Sequence, residues 1–192
     1  MERCRMVFTG SGGQGVITAA IVLAEAAAIF ENLSATQTQS YGPEARGGAT
    51  RADVIISDGE IRFPKVVQAN VMVCLTQQAY NKYSSFVRPG GLLLSDSKYV
   101  RTESKVDARQ VQLPMYQCVM DQIGRPIVYN ICVLGVVIGL TGVIGPESIM
   151  KVLEKRIPPD LLAMNRKALD LGLCLVSGLA AAAPEGCEGI EE

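Results

Sequence analysis

Two glycine-containing stretches hold the residue types and spacings that could do chemistry. The first, Phe8-Thr9-Gly10-Ser11-Gly12-Gly13-Gln14-Gly15, sets Gly10, Gly12 and Gly15 at the G-x-G-x-x-G interval, between an apolar run and an Ala/Leu-rich one. Missing side chains there permit a tight turn and bring free backbone N–H groups to a helix N-terminus, an arrangement that suits a phosphate or another anion. The same glycines equally suit a turn that lets a helix cross close to a sheet. The second stretch, Ser40-Tyr41-Gly42-Pro43-Glu44-Ala45-Arg46-Gly47-Gly48, holds one acid and one guanidinium between a φ-restricting proline and permissive glycines. A rigid loop of this kind can present Arg46 to a phosphate, a carboxylate or a partner's acid. The alternative is local: Glu44 caps a turn and Arg46 is a surface charge.

The residue types that are absent narrow the chemistry further. The 192 residues include no histidine, which excludes Ser-His-Asp and Cys-His arrangements and any zinc site that needs imidazole. A dinucleotide fold places an acid at the end of its second strand, about 20 residues beyond the glycines, to hold the ribose hydroxyls. Here the candidate strand from Leu33 to Gln37 runs on through Thr38-Gln39-Ser40-Tyr41, and the first acid is Glu44. That disfavours a nicotinamide cofactor. The six cysteines, Cys4, Cys74, Cys118, Cys132, Cys174 and Cys187, form no C-x-x-C pair. Free, mostly buried thiols are expected, with no iron–sulfur cluster and no metal on this chain. A net charge of −1, spread along the sequence, argues against nucleic acid. The N-terminus shows no signal-peptide core, so a cytoplasmic, reduced chain is expected.

The elements that must position these residues read as an α/β domain: a Rossmann-like three-layer sandwich with a mostly parallel, mixed sheet containing a hairpin. One domain is expected over residues 1–183, with a disordered polar, acidic tail at 184–192. Met6-Val7-Phe8 is a buried strand feeding the glycine turn, and a helix follows from Gln14 to about Glu31. Asp58-Gly59 predicts a hairpin between a strand at Ala49 to Ser57 and another at Glu60 to Phe63. Val71 to Leu75 and Leu92 to Asp96 read as central strands whose polar ends share an edge with the glycine turn. Pro89-Gly90-Gly91 turns the chain before the second of them. Val111 to Pro114 is an edge strand, because proline cannot serve a central ladder. Asn130 to Thr141 is too short to span a bilayer and reads as a buried or subunit-interface helix, with Gly135 and Gly139 permitting a close crossing. Pro146 to about Arg156 and Pro159 to about Ala182 complete the helices.

The two glycine-containing stretches at this separation resemble the gamma subunit of 2-oxoacid:ferredoxin (or acceptor) oxidoreductases. The likeness continues through Asp53-Val54-Ile55-Ile56-Ser57, Asn130 and its helix, and Asn165-Arg166-Lys167-Ala168-Leu169, over roughly residues 5 to 178. It implies a multisubunit enzyme that oxidatively decarboxylates a 2-oxoacid to its acyl-CoA and passes electrons to ferredoxin. Thiamine diphosphate with magnesium and an iron–sulfur cluster would sit on partner subunits, with CoA as cosubstrate. The partners implied are alpha and beta subunits, together with a ferredoxin-like delta subunit, and neither a membrane nor nucleic acid. Ser-Tyr-Gly-Pro-Glu-x-Arg-Gly-Gly is most similar to the 2-oxoglutarate type, with pyruvate and branched-chain types close behind. No catalytic residue is expected in this chain. The candidate CoA-phosphate or subunit-contact residues are Gly10, Ser11, Gly12, Gly13, Gln14, Gly15, Ser40, Tyr41, Gly42, Pro43, Glu44, Arg46, Gly47 and Gly48. A purely architectural subunit is the alternative.

Overall fold

The computed structural model describes residues 3–40 and 49–179. Strand β1 (Cys4–Gly10) is buried along almost its whole length. Its period-two alternation sends Met6 and Phe8 into one core and Val7 into another. Strands covered on both faces read as continuous apolar runs, which is why Met6-Val7-Phe8 lacks polar alternation.

Helix α1 (Val16–Phe30) carries the chain from β1 to β2 (Ser34–Ser40), and β3 (Thr50–Ser57) returns between them. Next come β4 (Ala69–Cys74), α2 (Gln77–Tyr83), β5 (Val87–Asp96) and β6 (Ala108–Leu113). The six-stranded sheet has the order β2-β3-β1-β4-β5-β6. Only β3 runs against the rest: it pairs antiparallel with β2 and β1, whereas β1–β4, β4–β5 and β5–β6 are parallel. Helices α3 (Met115–Gln122), α4 (Tyr129–Thr141), α5 (Pro146–Arg156) and α6 (Pro159–Val176) join α1 in the larger core on one face. Tyr80 of α2, Val66 and Val100 close the smaller core on the other. The result is three layers with a mixed, mostly parallel sheet, as the sequence suggested.

The expected hairpin is not where Asp58-Gly59 put it. Residues 60–66 form no strand, and both flanks of β3 are already taken by β2 and β1. A local turn signal cannot create a pair when no free edge remains. The antiparallel neighbours are instead β2 and β3, joined through 41–49. Pro89-Gly90-Gly91 also differs from expectation, lying inside β5 as a bulge. The register steps from Ala69↔Val87 to Val71↔Leu92, and Gly90 takes φ +70° to permit it.

Helix α4 is buried at every residue but Gly139, because it lies beneath α6 as well as against α1 and α3. Its close crossing is with α6: a Cβ on Gly135 would stand 2.2 Å from the Leu169 carbonyl oxygen, and one on Gly172 2.2 Å from that of Cys132. The N-terminus of α5 is tied to α1 by Glu31, whose carboxylate accepts from the Gly145 N–H (3.0 Å) and the Ser148 hydroxyl (2.6 Å). Cys74, Cys118, Cys132 and Cys174 are free thiols. Cys4 is disulfide-bonded, contrary to the all-thiol expectation. Among the described residues no helix is long and apolar enough to cross a membrane. The 184–192 tail lies outside the described residues.

Candidate functional site

The chain leaves β1 through α1 on one face of the sheet, and leaves β4 through α2 on the other. Adjacent parallel strands whose connections diverge open a crevice at their carboxyl ends, where open α/β sheets bind ligands. The Gly10–Gly15 turn lies at that switch point.

Gln14 organises the turn. Its Oε1 accepts the Ser11 N–H at 2.8 Å, its Nε2 donates to the Leu75 carbonyl at 3.3 Å, and the Leu75 N–H donates to the Thr9 carbonyl at 2.9 Å. The side chain thus ties the ends of β1 and β4 together. Gly10 is needed for that tie, since a Cβ there would meet Gln14 Oε1 at 2.5 Å. Gly15 combines φ +70° with a close approach, its absent Cβ only 2.7 Å from Asn130 Nδ2 at the start of α4. Two of the three spaced glycines therefore answer to packing. Gly12 and Gly13 do not: both are exposed, and a Cβ on either would meet nothing within 4 Å.

The second stretch begins and ends on the same edge. Ser40 closes β2 opposite Arg51, and Gly10 lies opposite Thr50, so 41–48 departs from and rejoins the sheet beside the glycine turn. Tyr41, Gly42, Pro43, Glu44, Arg46, Gly47 and Gly48 themselves lie outside the described residues.

The β4 and β5 ends share this edge, as expected. Thr76 caps α2, its Oγ1 accepting the Ala79 N–H at 3.2 Å. Gln77 exchanges hydrogen bonds with the Arg101 backbone, accepting at 2.7 Å and donating at 3.2 Å. The fully buried Asp96 accepts from the Lys98 N–H (2.9 Å), the Tyr116 N–H (2.8 Å) and the Tyr129 hydroxyl (2.8 Å). Tyr99, Tyr116 and Tyr129 form an edge-to-face series with centroids 5.3 and 5.5 Å apart, and the Lys98 amine lies 4.1 Å from the Tyr116 ring centre. Burial first, then the Asp96 charge, pushes the Tyr129 hydroxyl far up. Burial and the adjacent Tyr116 push Tyr99 up to about 12. Tyr99 and Tyr129 stay neutral at physiological pH, and the Tyr129 hydroxyl serves as a donor to Asp96.

A cleft of about 350 Å³ opens between β2, β3 and α2, lined by Thr38, Gln39, Arg51, Asp53, Lys65 and Tyr83. Arg51 is spent internally: it pairs with both Asp53 oxygens (2.6 and 2.9 Å), donates to the Val66 carbonyl (2.7 Å) and lies near the Tyr83 and Phe86 rings. Burial pushes the Cys74 and Cys132 thiols up to about 12, the reverse of what a nucleophile needs. No group of three or more Cys, Asp or Glu among the described residues could hold a metal ion. What the edge offers is unhindered backbone at Gly12 and Gly13 and a framework that fixes it.

Fold and edge define a doubly wound α/β domain, with a glycine-rich turn at its switch point and one antiparallel strand inserted beside β1. Comparison with known proteins narrows the class. Residues 5–175 match the pyruvate ferredoxin/flavodoxin oxidoreductase family, and the chain belongs to that family. It is 42% identical over 166 residues to the 2-oxoglutarate synthase subunit KorC of Methanocaldococcus jannaschii, covering 85% of this chain and 89% of that protein. Against KorC of Methanothermobacter thermautotrophicus the identity is 38% over 173 residues, covering 87% and 92%. The crystal structure of a keto/oxoacid ferredoxin oxidoreductase gamma subunit from Geobacter sulfurreducens superposes with a TM-score of 0.82 at 39% identity, over 91% of this chain and 99% of that one. A 2-oxoglutarate:ferredoxin oxidoreductase from Magnetococcus marinus shares the fold at 20% identity and TM-score 0.87, matching all of this chain with 33% of its own.

Proposed function

We propose that this chain is the gamma-type subunit of a 2-oxoglutarate:ferredoxin (acceptor) oxidoreductase, active within a complex whose alpha and beta partners carry thiamine diphosphate and the iron–sulfur cluster. The observation that carries the reading is the nearly end-to-end match to 2-oxoglutarate synthase subunits at 38–42% identity. The chemistry of the described residues is consistent with that division of labour: they supply an edge with a glycine turn, and the buried Cys74 and Cys132 thiols are held protonated, with the redox chemistry left to cofactors on the partners.

Within this reading, Gly12, Gly13 and the 41–48 segment with Arg46 meet the partner subunits beside the thiamine site or contact the phosphates of CoA. Support comes from the freedom of Gly12 and Gly13 from any packing role. The tight roles of Gly10 and Gly15 favour a second reading, in which the turn is architectural and only buries against partner chains.

Co-expression with the alpha and beta chains tests both. Dye reduction dependent on 2-oxoglutarate and CoA should require this chain, and Arg46→Ala should raise the KM for CoA or weaken assembly. If every Arg46 and Gly12 variant that assembles shows normal CoA kinetics, the architectural reading replaces the CoA contact. If omitting the chain changes neither complex nor rate, the subunit reading fails.

A further inference from the structure

The carboxyl edge of the sheet carries a cation that the glycine turn does not account for. Lys98 is exposed just past the end of β5, and its amine lies over the rings of Tyr116 (4.1 Å) and Tyr99 (5.5 Å). Ring faces of this kind orient an ammonium without neutralising it. Arg51, Arg62, Lys105, Arg156 and Arg166 are each held by a carboxylate, whereas Lys98 has no such partner among the described residues. The buried Asp96 is taken by the Lys98 and Tyr116 N–H groups and the Tyr129 hydroxyl, not by the amine. Arg101 is also exposed and without a carboxylate partner among the described residues, and the 97–101 stretch contains no acid. A line of contacts joins Lys98 to the turn: the Tyr116 ring under its amine meets that of Tyr129 at 5.5 Å, and the next residue, Asn130, reaches the Gly15 carbonyl at 3.5 Å.

We infer that Lys98 binds the phosphate monoester on the ribose of CoA while the pyrophosphate of the same molecule lies at the glycine turn. The inference rests on the subunit reading with CoA at this edge. Strands β1 and β5 lie two spacings apart, roughly 10 Å, with the end of β4 between them. The edge therefore offers two separate contacts of different kind, unhindered backbone at Gly12 and Gly13 and a point charge across from it. CoA carries two separate anionic groups on opposite sides of one ribose. Its monoester is the more highly charged of them per phosphorus, and a compact ammonium answers that charge better than backbone dipoles do.

The test compares CoA with dephospho-CoA, which lacks only that monoester, in dye reduction by the assembled complex. The unmodified complex should show a KM about five- to tenfold lower for CoA, the scale of one charge-assisted contact. Lys98→Met should raise the KM for CoA to that for dephospho-CoA, leaving kcat and the KM values for dephospho-CoA and 2-oxoglutarate unchanged. Lys98→Arg should keep most of the difference. A Lys98→Met complex that discriminates by the original ratio overturns the inference, as does an equal rise in both KM values. A lower Tm with both KM values unchanged overturns it by showing that Lys98 only offsets the Asp96 charge. A variant that no longer joins the complex overturns it in favour of a partner's acid at Lys98. Dye reduction indifferent to the presence of this chain sinks the subunit reading first, and the inference with it.

Discussion

Gly12 and Gly15 stand three residues apart and answer to different forces. At Gly15 an alanine would keep a left-handed backbone that L-residues resist by about 1–2 kcal/mol, and its methyl would press on Asn130. Gly15→Ala should therefore cost about 2 kcal/mol or more, lowering Tm by roughly 4–8 °C in a domain of this size. Gly12→Ala meets open space and should leave Tm unchanged while altering CoA kinetics or assembly. Equal thermal losses in the two variants would show that the turn is fixed by something other than the Asn130 contact. The shielded thiols make a second prediction at this scale. Cys74 and Cys132 hold their protons to about 12 in the folded chain, against an ordinary value of 9.0. Above pH 9 the unfolded chain loses protons that the folded chain keeps. Stability is then complete below that pH and declines as pH rises toward 12, by up to about 1.4 kcal/mol per unit for each thiol. Urea midpoints between pH 8 and 10.5 should fall, with a shallower slope for Cys74→Ala. A flat profile would contradict the burial of these groups.

At the scale of elements the tightest constraint is the α4–α6 crossing. A methyl on Gly135 or on Gly172 meets backbone carbonyls that cannot rotate away. Gly135→Ala and Gly172→Ala should each cost about 1–3 kcal/mol, the usual range for overpacking, and the double variant should cost less than their sum once the helices have parted. Gly139→Ala should be milder, because its nearest neighbours are atoms of Val176 and Leu173 side chains that can shift. Thermal melts of the four variants check this order, and Gly139→Ala as the worst would overturn it. This crossing was legible in the sequence as spaced glycines on an apolar helix, although not its partner. The β1, β4 and β5 strands were legible for a similar local reason, as apolar runs. Pro114 and Pro146 marked a strand end and a helix start. The hairpin at Asp58-Gly59 was misread because the turn signal is local while the availability of an edge is not. The Asp96, Tyr99, Tyr116 and Tyr129 cluster gave no signal at all, since its members are brought together only by β5, α3 and α4 packing side by side. The Asn130 contact with Gly15 was hidden in the same way, by 115 residues of separation.

For the whole molecule, topology decides what the glycine turn cannot do by itself. In a dinucleotide fold the strand after the first helix lies directly beside β1, and an acid at its end reaches the ribose of a nucleotide whose pyrophosphate sits on the turn. Here antiparallel β3 is inserted between β1 and β2. The end of β2 is therefore two strand spacings from β1, roughly 10 Å instead of about 5 Å. The residue at that end is Ser40, not an acid. Among the described residues, neither the short reach nor the acid of a ribose site is present at the end of β2, although the turn keeps the G-x-G-x-x-G spacing. The chain alone should give no heat of binding with NAD at millimolar concentration, and Ser40→Asp should not create it, because restoring the acid does not restore the distance. A Kd below about 1 mM for NAD, in either the parent chain or Ser40→Asp, would overturn this. The inserted strand also brings both ends of the 41–48 segment to the edge beside the turn. The 41–48 segment is thus anchored at both ends beside the turn, and the Arg46→Ala variant tests its role in the assembled enzyme.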